Sequence, residues 1–242
     1  MRTRVIFLSL AGIVALLSAS CRSRRDAASE VIPPNQISDF NVLYTQNCAG
    51  CHGVGGRNGA AIALADPVFL AIADDATIRR TAESGVPGTP MPAFARTAGG
   101  LLTGKQIDAL VQGIRAWANP ALVHGVDLPS YAAKSDANSE RGAQVFRSYC
   151  SSCHGQDGSG GKAGSIVDGS FLALVSNQDL RLNVILGRPG SGAPDWRNDI
   201  PGRPLSEEQI SDVVAWLAAQ RPEIPGQPYP MSVMNRTTGG IR

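Results

Sequence analysis

Apolar residues recur at intervals of three and four in two segments, "LTGKQIDALVQGI" (102–114) and "LSEEQISDVVAWL" (205–217). That spacing places one apolar stripe along a helix. A Thr or a Ser stands ahead of each stripe as an N-cap, and Glu207 and Glu208 put negative charge into the first turn of the second helix. Tyr44 and Phe146 each stand four residues before a cysteine, which puts aromatic and cysteine on one face of an entering helix. No segment shows the strict alternation of a half-buried strand, so the pattern predicts an all-α fold. Two stretches break the pattern. The chain opens on a basic start (Arg2, Arg4) and an apolar run from Val5 to Leu17, and it closes on the Pro-rich tail "RPEIPGQPYPMSVMNRTTGGIR".

The similarity between the two helical segments extends through most of the chain. At an offset of 102, residues 48–94 align without a gap to 150–196, with 16 identities in 47 positions. One inserted residue then shifts the offset to 103 and brings the two closing helices into register. An internal repeat of this kind means two copies of one small unit. The sequence divides into an N-terminal signal (1–20), a tether (21–36), a first unit (37–122), a linker (123–138), a second unit (139–222) and a tail (223–242).

Each copy contains a short cysteine motif, "CAGCH" at 48–52 and "CSSCH" at 150–154. C-x-x-C-H is the attachment signature of c-type haem. Two thiols three apart on one helical turn can each add to a vinyl group of one haem, and the adjacent histidine then projects its imidazole at the iron. A thioredoxin-like reading of C-x-x-C would want a βαβ pattern, which is absent. The chemistry expected is two haem c groups, bound through Cys48 and Cys51 with His52, and through Cys150 and Cys153 with His154. Cys21 is then the fifth, unmatched cysteine. It follows an apolar segment too short for a comfortable membrane span, and "SAS" directly before it resembles a bacterial lipoprotein signal. The chain is expected to be exported to the periplasmic side of a bacterial membrane and tethered there by a lipid on Cys21, the alternative being an ordinary signal cut nearby that leaves Cys21 a spare thiol.

With "CAGCHG", "CSSCHG", the entering Tyr/Phe, the "MPAF" segment and the closing helices, the chain resembles the class I cytochromes c in tandem dihaem form. The resemblance implies two helical cytochrome c-like domains, each wrapped around one haem, with histidine on one side of the iron and usually methionine on the other. Carried over, it makes Met91 the distal ligand of haem 1. Pro90 and Pro92 would stiffen the loop that presents the thioether. In the second copy the equivalent residue is Ala193, which has no donor atom, so the carry-over stops there. The open alternatives are a ligand from the tail (Met231 or Met234), His124 from the linker, an iron left five-coordinate or holding water, or a ligand from a neighbouring protein.

A formal net charge of +2, with both signs scattered along the chain, excludes a nucleic-acid binder that works through a clustered basic stripe. The leading expectation is an electron carrier or a cytochrome subunit of a respiratory or photosynthetic complex. Its partners would be a quinol-oxidising complex or dehydrogenase on one side, and an oxidase, reaction centre or soluble carrier on the other. The alternative is a dihaem enzyme in which an open haem 2 reduces a small oxidant such as peroxide. No catalytic side chain is assigned.

Overall fold

The computed structural model describes residues 32–133, 136–198, 200 and 202–222. Cys21, Met231 and Met234, with the signal and the tail, lie outside the described residues. Among these the regular structure is helical, and β pairing is limited to two isolated bridges, Ala95 with Leu102 and Arg188 with Ala193. The fold is all-α.

Each half runs through five helices in the same order. The first has α1 (Phe40–Asn47), α2 (Ala49–His52), α3 (Pro67–Ile72), α4 (Asp75–Ser84) and α5 (Gly104–Arg115). The second has α6 (Ser139–Tyr149), α7 (Ser151–His154), α8 (Gly169–Leu174), α9 (Asn177–Leu186) and α10 (Glu207–Ala219). Local chemistry sets where these helices begin. Asp39 and Asn138 cap α1 and α6, and Asp66 and Asp168 cap α3 and α8. The closing helices start in matched capping boxes, Thr103 with Gln106 and Ser206 with Gln209. Ile107, Leu110, Val111 and Ile114 form the buried stripe of α5; Ile210, Val213, Val214 and Leu217 repeat it in α10.

The entering and closing helices cross in both halves, but the side chains at the crossing are exchanged. In the first half Phe40 of α1 lies against Gly113 of α5, and a Cβ on Gly113 would meet the Phe40 ring at 2.0 Å. In the second half the glycine is on the entering helix. A Cβ on Gly142 would meet the Asp212 carbonyl oxygen at 2.0 Å and the Trp216 Cβ at 2.8 Å. Large-on-small has become small-on-large, and both arrangements let two backbones approach closely. An aromatic cluster covers each crossing. Tyr44 and Trp117 pack edge to face at 5.0 Å, whereas Phe146 and Trp216 stack at 4.2 Å.

An arginine at or just beyond the end of each closing helix ties it to the end of the third helix of its half. Arg115 donates to the carbonyls of Leu70 and Ala73 and to Asp75. Arg221 donates to the carbonyls of Leu172 and Val175 and to Asn177. The acceptors correspond at the repeat offset of 102, but the arginines do not, because Arg221 comes about one turn's worth of residues later, past the end of α10. Both clamps satisfy carbonyls that a helix end leaves without an intrahelical partner.

The linker is held between the halves. The Tyr131 carbonyl accepts from Gln178 and Arg181 of α9, and its hydroxyl bonds Thr81 of α4. Arg181 is only 2% exposed, and it also donates to the Ser130 carbonyl and pairs with Glu207. Such a buried cation is tolerated because its donors are occupied.

Candidate haem sites

Both motifs fold into the same single helical turn. Cys48 ends α1 and starts the single turn of α2, and its carbonyl accepts from the amides of Cys51 and His52 at 3.2 and 3.0 Å. The Cys150 carbonyl accepts from Cys153 and His154 at 3.1 and 3.0 Å. None of these four cysteines is in a disulfide. Burial, with the neighbouring cysteine adding, pushes Cys48 and Cys150 up to about 11, so both are uncharged at neutral pH. A thioether is uncharged as well, and the setting suits it.

The histidines are oriented by the loop that follows. His52 Nδ1 lies 2.8 Å from the Ile62 carbonyl, and His154 Nδ1 lies 3.0 Å from the Gly164 carbonyl. A carbonyl can only accept, so each Nδ1 carries the proton and each Nε2 is left as the lone-pair nitrogen. That tautomer is the one an iron ligand needs. Burial lowers His52, against the opposing effects of the Ile62 carbonyl and Asp179, which keeps its ring neutral. The loop is fixed by matched bonds, Ala61 N–H to the Cys51 carbonyl and Ala163 N–H to the Cys153 carbonyl, both 2.9 Å. Gly59 is required here, because a Cβ on it would sit 2.2 Å from the Cys51 oxygen. In the first copy the Tyr44 hydroxyl also donates to the Gly53 carbonyl at 2.9 Å, and burial pushes that phenol up to about 12. Phe146 has no hydroxyl to repeat the bond.

The distal loops hang from equivalent backbone bonds. Val86 N–H reaches the Met91 carbonyl at 3.0 Å, and Arg188 N–H reaches the Ala193 carbonyl at 2.9 Å. Further along, Leu102 N–H to Phe94 and Leu205 N–H to Trp196 close both loops at 2.8 Å. Met91 and Ala193 therefore occupy the same place in the fold, and both are half-buried. The two loops differ in how that residue's own amide is used. Met91 N–H bonds the Thr89 hydroxyl, whereas Ala193 N–H returns to the Arg188 carbonyl at 3.1 Å. His124 is exposed in the linker. Asp195 and Arg197, the charged residues beside Ala193, are paired with each other, and Arg197 lies over the Trp196 ring.

A four-residue turn with two cysteines, a histidine whose Nδ1 is held by a backbone carbonyl and a glycine-tight loop behind it fits a covalently attached haem in each half. A family model described as cytochrome C oxidase, cbb3-type, subunit III matches residues 35–112 and 137–217, more than half of the chain. The chain belongs to this family. Each matched region contains one C-x-x-C-H motif, so this is a tandem c-type cytochrome with two haem c groups.

Curated relatives agree. The chain is 30% identical over 201 residues to a Cbb3-type cytochrome c oxidase subunit CcoP of Rhodobacter capsulatus, an alignment covering 73% of this chain and 62% of the relative. It is 31% identical over 134 residues to the CcoP of Azospirillum sp. (strain B510), covering 51% of this chain and 40% of that protein. A cytochrome bc1 complex cytochrome c subunit of Mycobacterium bovis is 27% identical over 178 residues, covering 72% of this chain and 60% of its own length. The chain thus spans 40 to 62% of the length of these relatives. Among the described residues no helix is long and apolar enough to cross a membrane.

Arg188 is the residue that sequence reasoning missed. It lies in the "GRPGSGAPDW" segment that carries Ala193, yet only the fold shows its side chain reaching the first half, where it donates to the Ala60 carbonyl at 2.5 Å.

Proposed function

We propose that this chain is the cytochrome subunit of a respiratory complex, accepting single electrons from a quinol-oxidising complex or dehydrogenase and passing them to an oxidase or a soluble carrier. The observation that carries this reading is the pair of histidines held in one tautomer by the Ile62 and Gly164 carbonyls, each behind two cysteines that form no disulfide. In it Cys48 and Cys51 hold haem 1 with His52 and Met91 on its iron, and Cys150 and Cys153 hold haem 2 with His154. When bound, each haem supplies a one-electron iron couple. The protein's part is to fix the histidine rings and to bring a thioether to the first iron, where His/Met ligation raises the potential. Two relatives are named as an oxidase subunit and a bc1-complex subunit, which supports a place between such complexes. The proposal includes export to the periplasmic side and a lipid anchor on Cys21.

The test is to reduce the haem-loaded protein and mix it with aerated membranes of its own host. Cyanide-sensitive reoxidation of both haems is expected. Haems that stay reduced would refute the relay.

A second reading rests on Ala193, which brings no donor to iron 2. Either Met231 or Met234 of the tail supplies the sixth ligand, or haem 2 is open and acts on a small oxidant. Asp195 and Arg197 neutralise each other beside that position, so this pair offers no free acid or base for peroxide chemistry, which favours the relay. Carbon monoxide added to the reduced protein separates the cases: a spectral change in about half of the haem marks an open or weakly ligated iron 2.

A further inference from the structure

The two halves meet at a cleft lined by Asn58, Ile62 and Asp66 from the first and by Asn183, Arg188 and Ser191 from the second. Arg188 is the side chain that bridges it. Its Nη2 donates to the Ala60 carbonyl, and its Nε donates to Asn183 Oδ1 at 3.1 Å. Its backbone makes both hydrogen bonds to Ala193. On the far side, Ala60 directly precedes Ala61, whose amide bonds Cys51, and Ile62, whose carbonyl orients His52. A short series of hydrogen bonds therefore runs from the distal loop of the second half to the proximal histidine of the first. Close packing adds to it, since a Cβ on Gly190 would stand 2.8 Å from Asn58 Oδ1.

The first half has no reciprocal device. The position matching Arg188 is Val86, which has no side-chain donor, and the position matching Ala60 is Lys162. The bridge is made in one direction only.

We propose that Arg188 is a positioning residue for haem 1, supplied by the haem 2 half: it fixes the loop that aims His52, and its charge raises the midpoint potential of haem 1. This rests on the reading of His52 as the ligand of iron 1. Reduction lowers the iron's charge by one, so a nearby cation favours the reduced state, and in a partly desolvated cleft the effect is screened less than on open surface. Asp179 acts on His52 with the opposite sign.

The experiment is an optical redox titration of the haem-loaded full chain, resolved into two waves, for wild type, Arg188→Gln and Arg188→Lys. The wave that persists in Cys150→Ser/Cys153→Ser belongs to haem 1. In Arg188→Gln the haem 1 wave is expected to move to lower potential, with a smaller displacement of the haem 2 wave, and Arg188→Lys is expected to recover most of the shift because it keeps the charge. Two waves that stay at wild-type potentials in Arg188→Gln would overturn the proposal. So would equal displacement of both waves with no recovery in Arg188→Lys, the outcome of a purely structural role. The underlying ligand assignment fails separately: it falls if His52→Ala leaves the low-spin spectrum of both haems unchanged.

Discussion

Replacing Gly142 by alanine tests the exchanged helix crossing. The added methyl would meet the Asp212 carbonyl oxygen at 2.0 Å, about 1 Å inside the 3.0 Å limit that real Cβ atoms keep. That oxygen belongs to the α10 backbone and cannot swing aside, so α6 and α10 must separate. Overpacking costs about 1–3 kcal/mol, and a backbone obstacle puts this site at the upper end. Alanine in a helix interior returns up to about 1 kcal/mol over glycine. The net expectation is a loss of about 2 kcal/mol, or a melting temperature lower by about 8–16 °C for a unit of this size. In Gly113→Ala the three atoms nearest the methyl belong to the Phe40 side chain rather than to backbone, so its net cost should be smaller than that of Gly142→Ala. Gly104→Ala, with nothing within 4 Å, serves as the control. Thermal melts of the haem-loaded variants, followed by circular dichroism, give the comparison. If Gly142→Ala melts with Gly104→Ala, the close approach at α6 and α10 is wrong. The exchange itself predicts that Trp216→Gly partly rescues Gly142→Phe, a non-additivity expected only between residues in contact.

Changing Cys48 and Cys51 to Ser should lower the haem content measured by pyridine haemochrome by half, with the second motif unaffected. Met91→Leu should lower the potential of one redox wave and leave the other in place; displacement of both would argue against a ligand role confined to haem 1. Arg221→Met removes donors to two helix-end carbonyls and should cost about 1–3 kcal/mol in a denaturant titration. Glu207 gives the pH prediction. Partial burial pushes this carboxyl up, but hydrogen bonds from Ser130 and the Arg181 guanidinium outweigh it and hold it below its ordinary 4.5. The stability it contributes is present above that ordinary value and lost as pH falls through the lower folded value. Wild type should therefore lose more stability between about pH 5 and pH 3 than Glu207→Gln does, and parallel pH–melting curves would contradict the pairing.

Much of this molecule is legible in one dimension because its determinants are local. A C-x-x-C-H motif completes its chemistry within one helical turn, and an N-cap followed by an i, i+3, i+4 stripe specifies a helix from a dozen residues. Thr103 and Ser206 begin helices at the residues their sequence indicates, and the four apolar positions of α5 return in α10 at an offset of 103. The repeat itself needed only the chain laid over itself. The replacement of Met91 by Ala193 was visible in the same way, and the fold adds that the two residues occupy one backbone position.

Other features depend on what the chain brings together from a distance. Trp117 and Trp216 do not align in the repeat, yet each packs on the aromatic of its entering helix. Arg115 and Arg221 do not align either, yet they bind corresponding carbonyls, because a long side chain can reach one target from successive turns. The carbonyls of Ile62 and Gly164 have no signature at all in a sequence, since every residue has a carbonyl and only the path of the backbone selects one. The same holds for the bond from Arg188 to Ala60, which spans 128 residues. The sequence by itself determined the cofactor chemistry, the helical class and the duplication, because each is written within a turn or as a period. The tertiary structure alone decided which carbonyls orient the histidines and which half grips the other, because those choices depend on how the two copies pack.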